Sequence, residues 1–356
     1  MAGKLGQMLS ARHDILSIEL INHLSSLQST YDIKSFSKKD LQLDKIPAGI
    51  TDIDYRALKA GTICVVLNCK YKNQDAVLKF VKKGIPEKLA STFYWMLFFL
   101  WLIKYFDPCN LYERISELKK TFLQQTDLLI EAEHQQWWYD NYSDDNLGIP
   151  KILCLNSYAI CMERIPNNNR IIKELNEDQQ NKHALAIYRV VYDSIYITGR
   201  VHADLHPGNI IFDGTKFVFI DFGWCVFLDE EQRHQNILFG LALKSKDYKE
   251  ISIRICKMYF TNSGDDLPGK LEPMLECANL CEQKHTATIL SRVLGIFCMK
   301  YRLTLGAAGS ATESAMMNID GLLPNLFENV SVDEIRSQTL QNMKSKLMKE
   351  FLKMKH

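Results

Sequence analysis

The stretch VHADLHPGNIIFDGTKFVFIDFGW, residues 201–224, decides the fold of this chain. In it, a His-x-Asp is followed five residues after the Asp by an Asn, and then by two apolar runs and Asp-Phe-Gly. This spacing is typical of phosphoryl transfer, in which a loop Asp orients or deprotonates the attacking hydroxyl group. The Asn and the Asp of Asp-Phe-Gly then hold magnesium against the phosphates of a nucleotide. Asp204, Asn209 and Asp221 fit these three roles.

The same polar residues have a purely structural interpretation. Asp and Asn are common in turns, and an Asp often caps the element that follows it. That interpretation does not explain two Asp and one Asn at these separations with the apolar runs IIF and FVFI between them. The combination is far more specific than a single glycine-rich match, and it favours phosphoryl transfer.

A β-hairpin carries the candidate phosphate-contacting lysine. Within residues 61–81, the runs TICVVLNCKY and AVLKFV are separated by the polar residues 72–75, which predicts two strands and a turn. Lys79 ends Ala-Val-Leu-Lys, which is similar to the strand whose lysine contacts nucleotide phosphates. A lysine on a strand is more often solvated, and only the downstream stretch makes Lys79 a candidate. Its helix-borne partner is Glu131 or Glu133, and periodicity leaves both open.

The middle of the chain contains further helical and strand patterns. Residues 111–142 have helical periodicity, and LGIPKILCLNSYAICMERI, residues 147–165, is strand-like. Glu163 lies where a kinase-like chain would link its lobes and present backbone groups to adenine, although a plain strand end explains it equally well. A long helix is predicted from Asp178 to Thr198, and Gly199 suits its C-terminal end.

The last third of the chain is predicted to be helical from residue 228 almost to the end, with a looser Gly/Ala/Ser stretch at 306–311. Ser331 and Glu334 form a capping box that opens a C-terminal amphipathic helix with lysines in its last turns. Such a helix can lie on an anionic lipid surface. Lysines near a helix C-terminus also suit the helix dipole, and this second interpretation is favoured.

The most apolar stretch is FYWMLFFLWLI, residues 93–103. It is about half as long as the roughly 20 residues that a helix needs to cross a bilayer. A helix that is apolar on all sides usually packs against neighbouring elements. We therefore expect burial within the protein, with insertion into a membrane interface as the alternative.

Composition limits the classes of function. Lys plus Arg (43) nearly balances Asp plus Glu (42), so the total charge does not favour nucleic acid as a partner. The ten cysteines include no Cys-x-x-Cys pair, which is typical of thiols in a reducing compartment. The first residues show neither a secretory signal nor an arginine-rich transit peptide. These features predict a cytoplasmic protein without a transmembrane segment.

Two motifs carry a resemblance to a known family. The opening KLGQMLSARHD, residues 4–14, resembles the Lys-x-Gly-Gln signature of the ABC1/UbiB/ADCK family of atypical kinases, with its usual Ser, Arg and Asp. HADLHPGN, residues 202–209, is the form that this family's catalytic loop often takes. The resemblance extends from residue 4 to about residue 250.

This resemblance implies an α+β, two-lobed protein-kinase-like fold with an N-terminal helical extension and a mainly helical C-lobe. The implied domains are a helical extension at 1–45 that carries the signature, an N-lobe with a helical insertion at 46–165, and a C-lobe with C-terminal helices at 166–356.

The resemblance also assigns roles to individual residues. It selects Glu131 as the partner of Lys79, and it implies ATP and Mg²⁺ as cofactors. The catalytic residues are then Asp204, Lys79 and Glu131, the nucleotide-contacting residues are Gly61, Thr62, Lys79, Glu163, Lys4 and Gln7, and the metal ligands are Asn209 and Asp221. The chain departs from the family pattern at Gly61, where Ala is usual, and at Gln125, where the Glu of a Glu-x-Asp element is usual.

Members of this family are understood to cover the peptide-receiving face with the helical extension. The resemblance therefore implies ATP hydrolysis, or phosphoryl transfer to a small molecule or an isoprenoid or quinone lipid, with nucleotide and a lipid or membrane surface as partners. A second hypothesis is a nucleotide-gated, pseudokinase-like module that binds lipid or protein without turnover. A third, a soluble phosphotransferase for an amino-alcohol or antibiotic, leaves residues 4–14 unexplained.

Overall fold

The computed structural model describes residues 43–60, 63–103, 111–124, 126–260, 266–283 and 286–353. These residues form two compact units. The first consists of the described residues up to Ser143 together with Gly148–Pro166 and Val218–Trp224. The second consists of Asp144–Leu147, Asn167–Phe217 and the described residues from Cys225 onward.

The predicted domain division at residues 45 and 165 stays a prediction. The N-terminal helical extension lies outside the described residues.

Most of the strand residues belong to the first unit. The strands are β1 Ile50–Ala60, β2 Cys64–Tyr71, β3 Gln74–Val81, β4 Leu147–Gly148, β5 Ile152–Asn156, β6 Ala159–Glu163, β7 Arg200–His202, β8 Ile210–Phe212, β9 Phe217–Phe219 and β10 Cys225–Phe227. Five of them form an antiparallel sheet in the order β1-β2-β3-β6-β5. In the second unit, β7 and β10 pair antiparallel.

The helices are concentrated in the second unit. They are α1 Ile85–Leu102, α2 Leu111–Gln124, α3 Leu128–Tyr142, α4 Glu177–Asp193, α5 Glu230–Ser245, α6 Tyr248–Tyr259, α7 Leu267–Cys277, α8 Thr286–Tyr301, α9 Ala307–Leu326 and α10 Val332–Lys353. An antiparallel sheet in one unit and mainly helices in the other confirm the predicted α+β class.

The predicted hairpin is present as β2 and β3, which pair in register from Cys64 opposite Val81 to Tyr71 opposite Gln74. Lys72 and Asn73 form the turn with φ angles of 49° and 67°. Two left-handed residues in succession match the twist of a two-residue hairpin. Alternate residues of β2 are buried, whereas Ala76 and every residue from Leu78 to Val81 of β3 are buried, so both faces of β3 are packed.

The expectation that residues 93–103 are buried is wrong. In α1, only Leu89 and Phe93 are fully buried, in a cluster that also contains Leu128 of α3. Other large apolar side chains of this helix are exposed, Tyr94 to 61% and Trp101 to 57%. The described neighbours contact one face of the helix, whereas the sequence is apolar on every face. Among the described helices, none has the length and hydropathy needed to cross a membrane.

The second unit packs around a helical core contributed by α5 to α8 and the chain after them. The predicted long helix is present as α4, and it continues through a π-helical turn, Ser194–Thr198, to Gly199. The expectation of a looser stretch at 306–311 is wrong, because α9 begins at Ala307. A Cβ atom on Gly309 would lie 2.7 Å from the Tyr259 ring, so glycine here permits close packing.

The C-terminal helix α10 packs on the second unit. Ile335 and Met343 are buried, and the Lys346 ammonium group donates to Asp193 at 2.7 Å. Arg336 donates to both carboxylate oxygens of Asp320 at 2.9 Å, and the Tyr188 hydroxyl donates to the same carboxylate at 2.8 Å. The Asp320 carboxylate of α9 thus joins α4 and α10. These contacts hold α10 against the other helices of the second unit.

Replacing Gly199 with Ala should destabilise the protein. Gly199 has a φ of 75°, and a Cβ atom there would lie 2.3 Å from the Leu228 carbonyl oxygen. We expect urea denaturation to show a loss of about 2 kcal/mol or more. Gly240→Ala is the control, since its Cβ would meet nothing within 4 Å inside α5, and stability should be unchanged or higher. Equal losses of stability in the two variants would contradict the inference that position 199 requires glycine.

Replacing Asp320 with Ala should leave the Arg336 guanidinium and the Tyr188 hydroxyl without their shared acceptor. We expect a loss of about 2–4 kcal/mol in urea denaturation. Asp333→Ala is the matched control, because Asp333 is 60% exposed and lies 3.3 Å from the same arginine. Its removal should change stability by less than about 0.5 kcal/mol. A similar loss in both variants would show that the carboxylate of Asp320 has no special role.

Candidate active site

Strand alternation places Lys79 on one face of the sheet. Val77 and Val81 lie two residues to either side, and their face of the sheet contacts Leu128 and Ala132 of α3. Lys79 pairs with Val66 of β2 and Ile160 of β6, so it lies on an interior strand. Its side chain is therefore held in a buried environment beside α3.

The helix α3 presents Glu131 to this lysine. The Asp127 side chain caps the helix by accepting a hydrogen bond from the Leu129 N–H at 3.0 Å, which puts Glu131 in the first turn. Glu131 is 3% exposed, and its Oε1 accepts a hydrogen bond from Lys79 Nζ at 2.5 Å. Glu133 is exposed. The structure therefore brings Lys79 together with Glu131.

The Asp-Phe-Gly segment supplies a second carboxylate. Lys79 Nζ donates to Asp221 Oδ1 at 3.0 Å, and the Gly223 N–H donates to the same oxygen at 3.1 Å. The Phe222 N–H donates to Glu131 Oε1 at 3.5 Å. Lys79, Glu131 and the backbone of residues 221–223 thus form one hydrogen-bonded group within the first unit.

An aromatic contact fixes the position of this segment. Phe222 is fully buried, and its ring centroid lies 5.8 Å from that of Trp138. Trp138 is seven residues after Glu131 and therefore lies on the same face of α3. Trp138 is not among the site residues predicted from the sequence, although its helical spacing from Glu131 is a signal that could have identified it.

Two opposing effects set the charge of Lys79. Burial lowers the pKa of a lysine, but the charges of Asp221 and Glu131 outweigh it, and the pKa of Lys79 is raised. The ammonium group is therefore charged at neutral pH. Of the two carboxylates that the Lys79 ammonium group contacts, Asp221 is the more accessible, at 28% side-chain exposure against 3% for Glu131.

Asp204 and Asn209 lie on a separate loop in the second unit. The Asn209 side-chain amide donates to the Asp204 carbonyl at 2.9 Å, and the Asp204 N–H donates to Nδ1 of buried His202 at 3.2 Å. His206 Nδ1 accepts from the Gly208 N–H at 3.0 Å. The two histidines brace the loop, and the sequence analysis had assigned them no role.

The remaining predicted site residues fall into two groups. Glu163 ends β6, where it pairs with Ala76 and its N–H donates to the Lys151 carbonyl at 3.0 Å. The others lie outside the described residues, and these are Lys4, Gln7, Gly61, Thr62 and Gln125. All the assigned roles stay predictions at this point.

The donor set fits a nucleotide-bound magnesium ion better than a metal held by protein alone. No cluster of three or more His, Cys, Asp or Glu side chains suited to a metal occurs in the described part of the chain. Magnesium in nucleotide sites typically uses one or two carboxylates together with phosphate oxygens and water. Asp221, with partial exposure and hard oxygen donors, suits that chemistry.

Comparisons with known proteins show which family this chain resembles over most of its length. A family model described as the ABC1 atypical kinase-like domain matches residues 29–254. The probable protein kinase UbiB of Histophilus somni is 26% identical over 275 residues, which cover 70% of this chain and 50% of that protein. ACTIVITY OF BC1 COMPLEX KINASE 8, a chloroplastic protein of Arabidopsis thaliana, is 25% identical over 244 residues, 62% of this chain and 32% of that protein.

A solved structure of the Rv3197–erythromycin complex from Mycobacterium tuberculosis is 14% identical, with a TM-score of 0.49 and coverage of 79% of this chain and 78% of that chain. The chain spans about half the length of the UbiB relatives that it matches.

Replacing Lys79 with Met should make stability depend strongly on pH. Burial raises the pKa of Glu131, and without the lysine the main effect that opposes burial is lost, while the hydrogen bond from the Phe222 N–H still lowers the pKa. A raised folded-state pKa means that stability is lost as pH rises from the ordinary value of 4.5 through the folded value. We expect urea denaturation to show a deficit of about 3–5 kcal/mol at neutral pH that shrinks toward pH 5.

The double variant Lys79→Met, Glu131→Gln is the control, because it removes the buried charge together with its partner. It should recover most of the stability at neutral pH and flatten the pH dependence. A Lys79→Met variant as stable as wild type, or a loss of stability that does not depend on pH, would contradict this prediction. Either result would show that the Lys79 ammonium group does not offset the cost of burying the Glu131 carboxylate.

Proposed function

Because the chain belongs to the family of ABC1 atypical kinase-like proteins, we propose that it binds ATP with magnesium and acts on the terminal phosphoryl group. The observation that carries this proposal is the buried ammonium group of Lys79 between Glu131 and Asp221. In kinase-like proteins, a strand lysine paired with a helix glutamate contacts the nucleotide phosphates. Lys79 and Glu131 form the same pairing within the first unit of this chain.

Each residue of this group has a separate task in the proposal. Glu131, which is 3% exposed, holds the Lys79 ammonium group in place. Lys79 would then place its charge beside the phosphate oxygens, and Asp221 would offer carboxylate oxygens to magnesium. When bound, magnesium-ATP supplies an activated phosphoryl group.

The loop at residues 202–209 supplies the remaining proposed roles. Asp204 would orient or deprotonate the attacking hydroxyl group or water, and Asn209 would contribute an amide oxygen to magnesium. The hydrogen bond from the Asn209 amide to the Asp204 carbonyl fixes the orientation of that amide. Lys4, Gln7, Gly61, Thr62 and Glu163 are proposed to complete the nucleotide site, as the family resemblance implies.

The acceptor in this proposal is water, a small molecule, or an isoprenoid or quinone lipid, and not a peptide. This part of the proposal rests on the resemblance, in which the N-terminal extension covers the peptide-receiving face. The resemblance also implies that the protein acts at the periphery of a membrane. A second candidate function, nucleotide-gated binding without turnover, is favoured by one sequence feature, Gln125 in place of the usual Glu.

Thermal denaturation with and without magnesium-ATP tests nucleotide binding. At a ligand concentration a hundred times the Kd, we expect the Tm to rise by roughly 3–4 °C. Asp221→Asn should abolish the magnesium-dependent part of this shift. Asp75→Asn is the control, because Asp75 lies in the same unit with 67% side-chain exposure, and it should behave as wild type. Absence of any shift in the wild-type protein would contradict nucleotide binding.

Phosphate release from ATP separates the two candidate functions. Asp204→Asn should retain the thermal shift, and it should lower the rate of phosphate release by about a hundredfold or more, because it removes the proposed base. Wild-type protein that shows the shift without phosphate release, alone or with lipid vesicles, would favour the binding module. Equal release rates for wild type and Asp204→Asn would remove Asp204 from the mechanism.

A further inference from the structure

The end of helix α1 displays an unusually aromatic exposed surface. We call this surface the aromatic face, and it consists of Tyr94, Trp95, Phe98, Phe99, Trp101, Leu102 and Ile103. Each of these side chains is at least 39% exposed, and four are exposed by more than 53%. Large apolar patches of this kind on a folded protein mark binding surfaces.

The aromatic rings form a continuous layer. Trp95 contacts Phe98 and Phe99 at centroid distances of 6.0 and 6.5 Å, and Phe98 stacks on Trp101 at 6.3 Å. Tyr94 contacts Trp95 edge-on at 5.5 Å. The exposed rings thus rest on one another along the outer side of the helix, while Phe93 anchors the inner side in the core.

The width of this surface distinguishes between kinds of partner. At 3.6 residues per turn, the seven side chains occupy an arc of about 200° around the helix axis. A helix that docks in a protein groove typically buries a stripe of about 100°. A surface about twice that width suits half-immersion in a fluid apolar phase, where every direction below the helix is equivalent.

The length and residue types point to the interface of a bilayer. From Tyr94 to Ile103 the helix rises about 15 Å, about half of the roughly 30 Å hydrocarbon core, so it does not cross. Trp and Tyr prefer the boundary between headgroups and acyl chains, because each combines an apolar ring with a polar group.

The charged residues in and just before α1 are placed as expected for a helix at the bilayer interface. The stretch from Leu89 to Ile103 contains no Asp, Glu, Lys or Arg. Ahead of it, Lys82, Lys83 and Lys88 outnumber Glu87, and Lys83 and Lys88 are exposed. Basic residues beside an apolar face add attraction to anionic headgroups.

We propose that the aromatic face of α1 inserts into the interface of a bilayer that contains anionic lipids, with Lys83 and Lys88 directed at the headgroups. The contact is peripheral, since the helix enters the surface and does not cross. It requires no nucleotide, so it stands independently of the proposed phosphoryl chemistry.

Vesicle flotation of the full chain without nucleotide tests this proposal. The probes are vesicles of phosphatidylcholine mixed with phosphatidylserine, and vesicles of phosphatidylcholine alone. The test variant combines Trp95→Ser, Phe98→Ser and Phe99→Ser, and it should bind the mixed vesicles roughly a hundredfold more weakly than wild type. Because these side chains are exposed, the far-ultraviolet circular dichroism and the Tm should be unchanged.

A matched control removes exposed apolar side chains elsewhere. Leu241, Ile296 and Met299 lie on helices of the second unit and are 49%, 54% and 41% exposed. Their combined replacement with Ser should leave flotation as in wild type. Lys83→Glu with Lys88→Glu should weaken binding to the mixed vesicles and leave binding to phosphatidylcholine unchanged.

The depth of insertion has its own readout. Brominated lipids should quench the fluorescence of Trp95 and Trp101 in the vesicle-bound protein, and the variant Trp95→Phe, Trp101→Phe should lose this quenching while it still floats. Quenching retained in that variant would overturn the assignment of the contact to α1.

The proposal is overturned if the aromatic face is covered by something other than a bilayer, and two such cases can be distinguished. If wild type does not float, light scattering after size exclusion shows what covers the surface. A dimer that the triple Ser variant converts to a monomer would assign the face to a second copy of the chain. A wild-type monomer that does not float would assign it to another segment of the same chain. Equal flotation of wild type and the triple Ser variant would also overturn it.

Discussion

The charged Lys79 ammonium group, buried between Glu131 and Asp221, is the interaction on which the first unit depends. A buried ammonium ion is strongly unfavourable unless carboxylates and hydrogen bonds replace its water. The partners of Lys79 are 52 and 142 residues away in the sequence. The register of β3, the start of α3 and the path of residues 218–224 must therefore all be correct together.

The burial of Lys79 strictly limits the register of β3. A slip of one residue in β3 would exchange the two faces of the strand and place Lys79 among the apolar side chains of the opposite face. That face is a separate apolar cluster that includes Leu78 and Phe80, both fully buried. The two-residue turn at Lys72 and Asn73 fixes the register of the hairpin, so its left-handed backbone contributes to the position of the lysine.

The ion-pair group of the second unit differs from this one in its geometry. In the second unit, the Arg336 guanidinium donates to both carboxylate oxygens of Asp320, and Asp333 contacts the same guanidinium from a position that is 60% exposed. In the first unit, one ammonium group faces two carboxylates, and the less buried one, Asp221, lies in Asp-Phe-Gly. A partly exposed carboxylate that belongs to this segment has the hard oxygen donors and the access that the proposed magnesium-nucleotide site requires.

Sequence patterns predicted much of the fold and several residues of the candidate site. The features that they did not predict have physical reasons. The hairpin, the Gly199 helix end and the loop motif followed from local turn chemistry and spacing. Periodicity could not choose between Glu131 and Glu133, because it says which residues share a face but not which face packs. The contacts of Trp138 with Phe222, and of Asp320 with Tyr188, join segments that no local pattern connects.

The helix α1 shows why an apolar pattern alone gives an ambiguous prediction. Hydropathy measures how unfavourable a side chain is in water, and it does not say whether protein or lipid replaces that water. Burial by protein requires neighbours on every apolar face, but the described neighbours reach the face of Leu89 and Phe93. The opposite face combines Tyr, Trp and Phe over an arc too broad for a single groove. Its width and its amphipathic rings together favour the boundary of a bilayer over a protein partner.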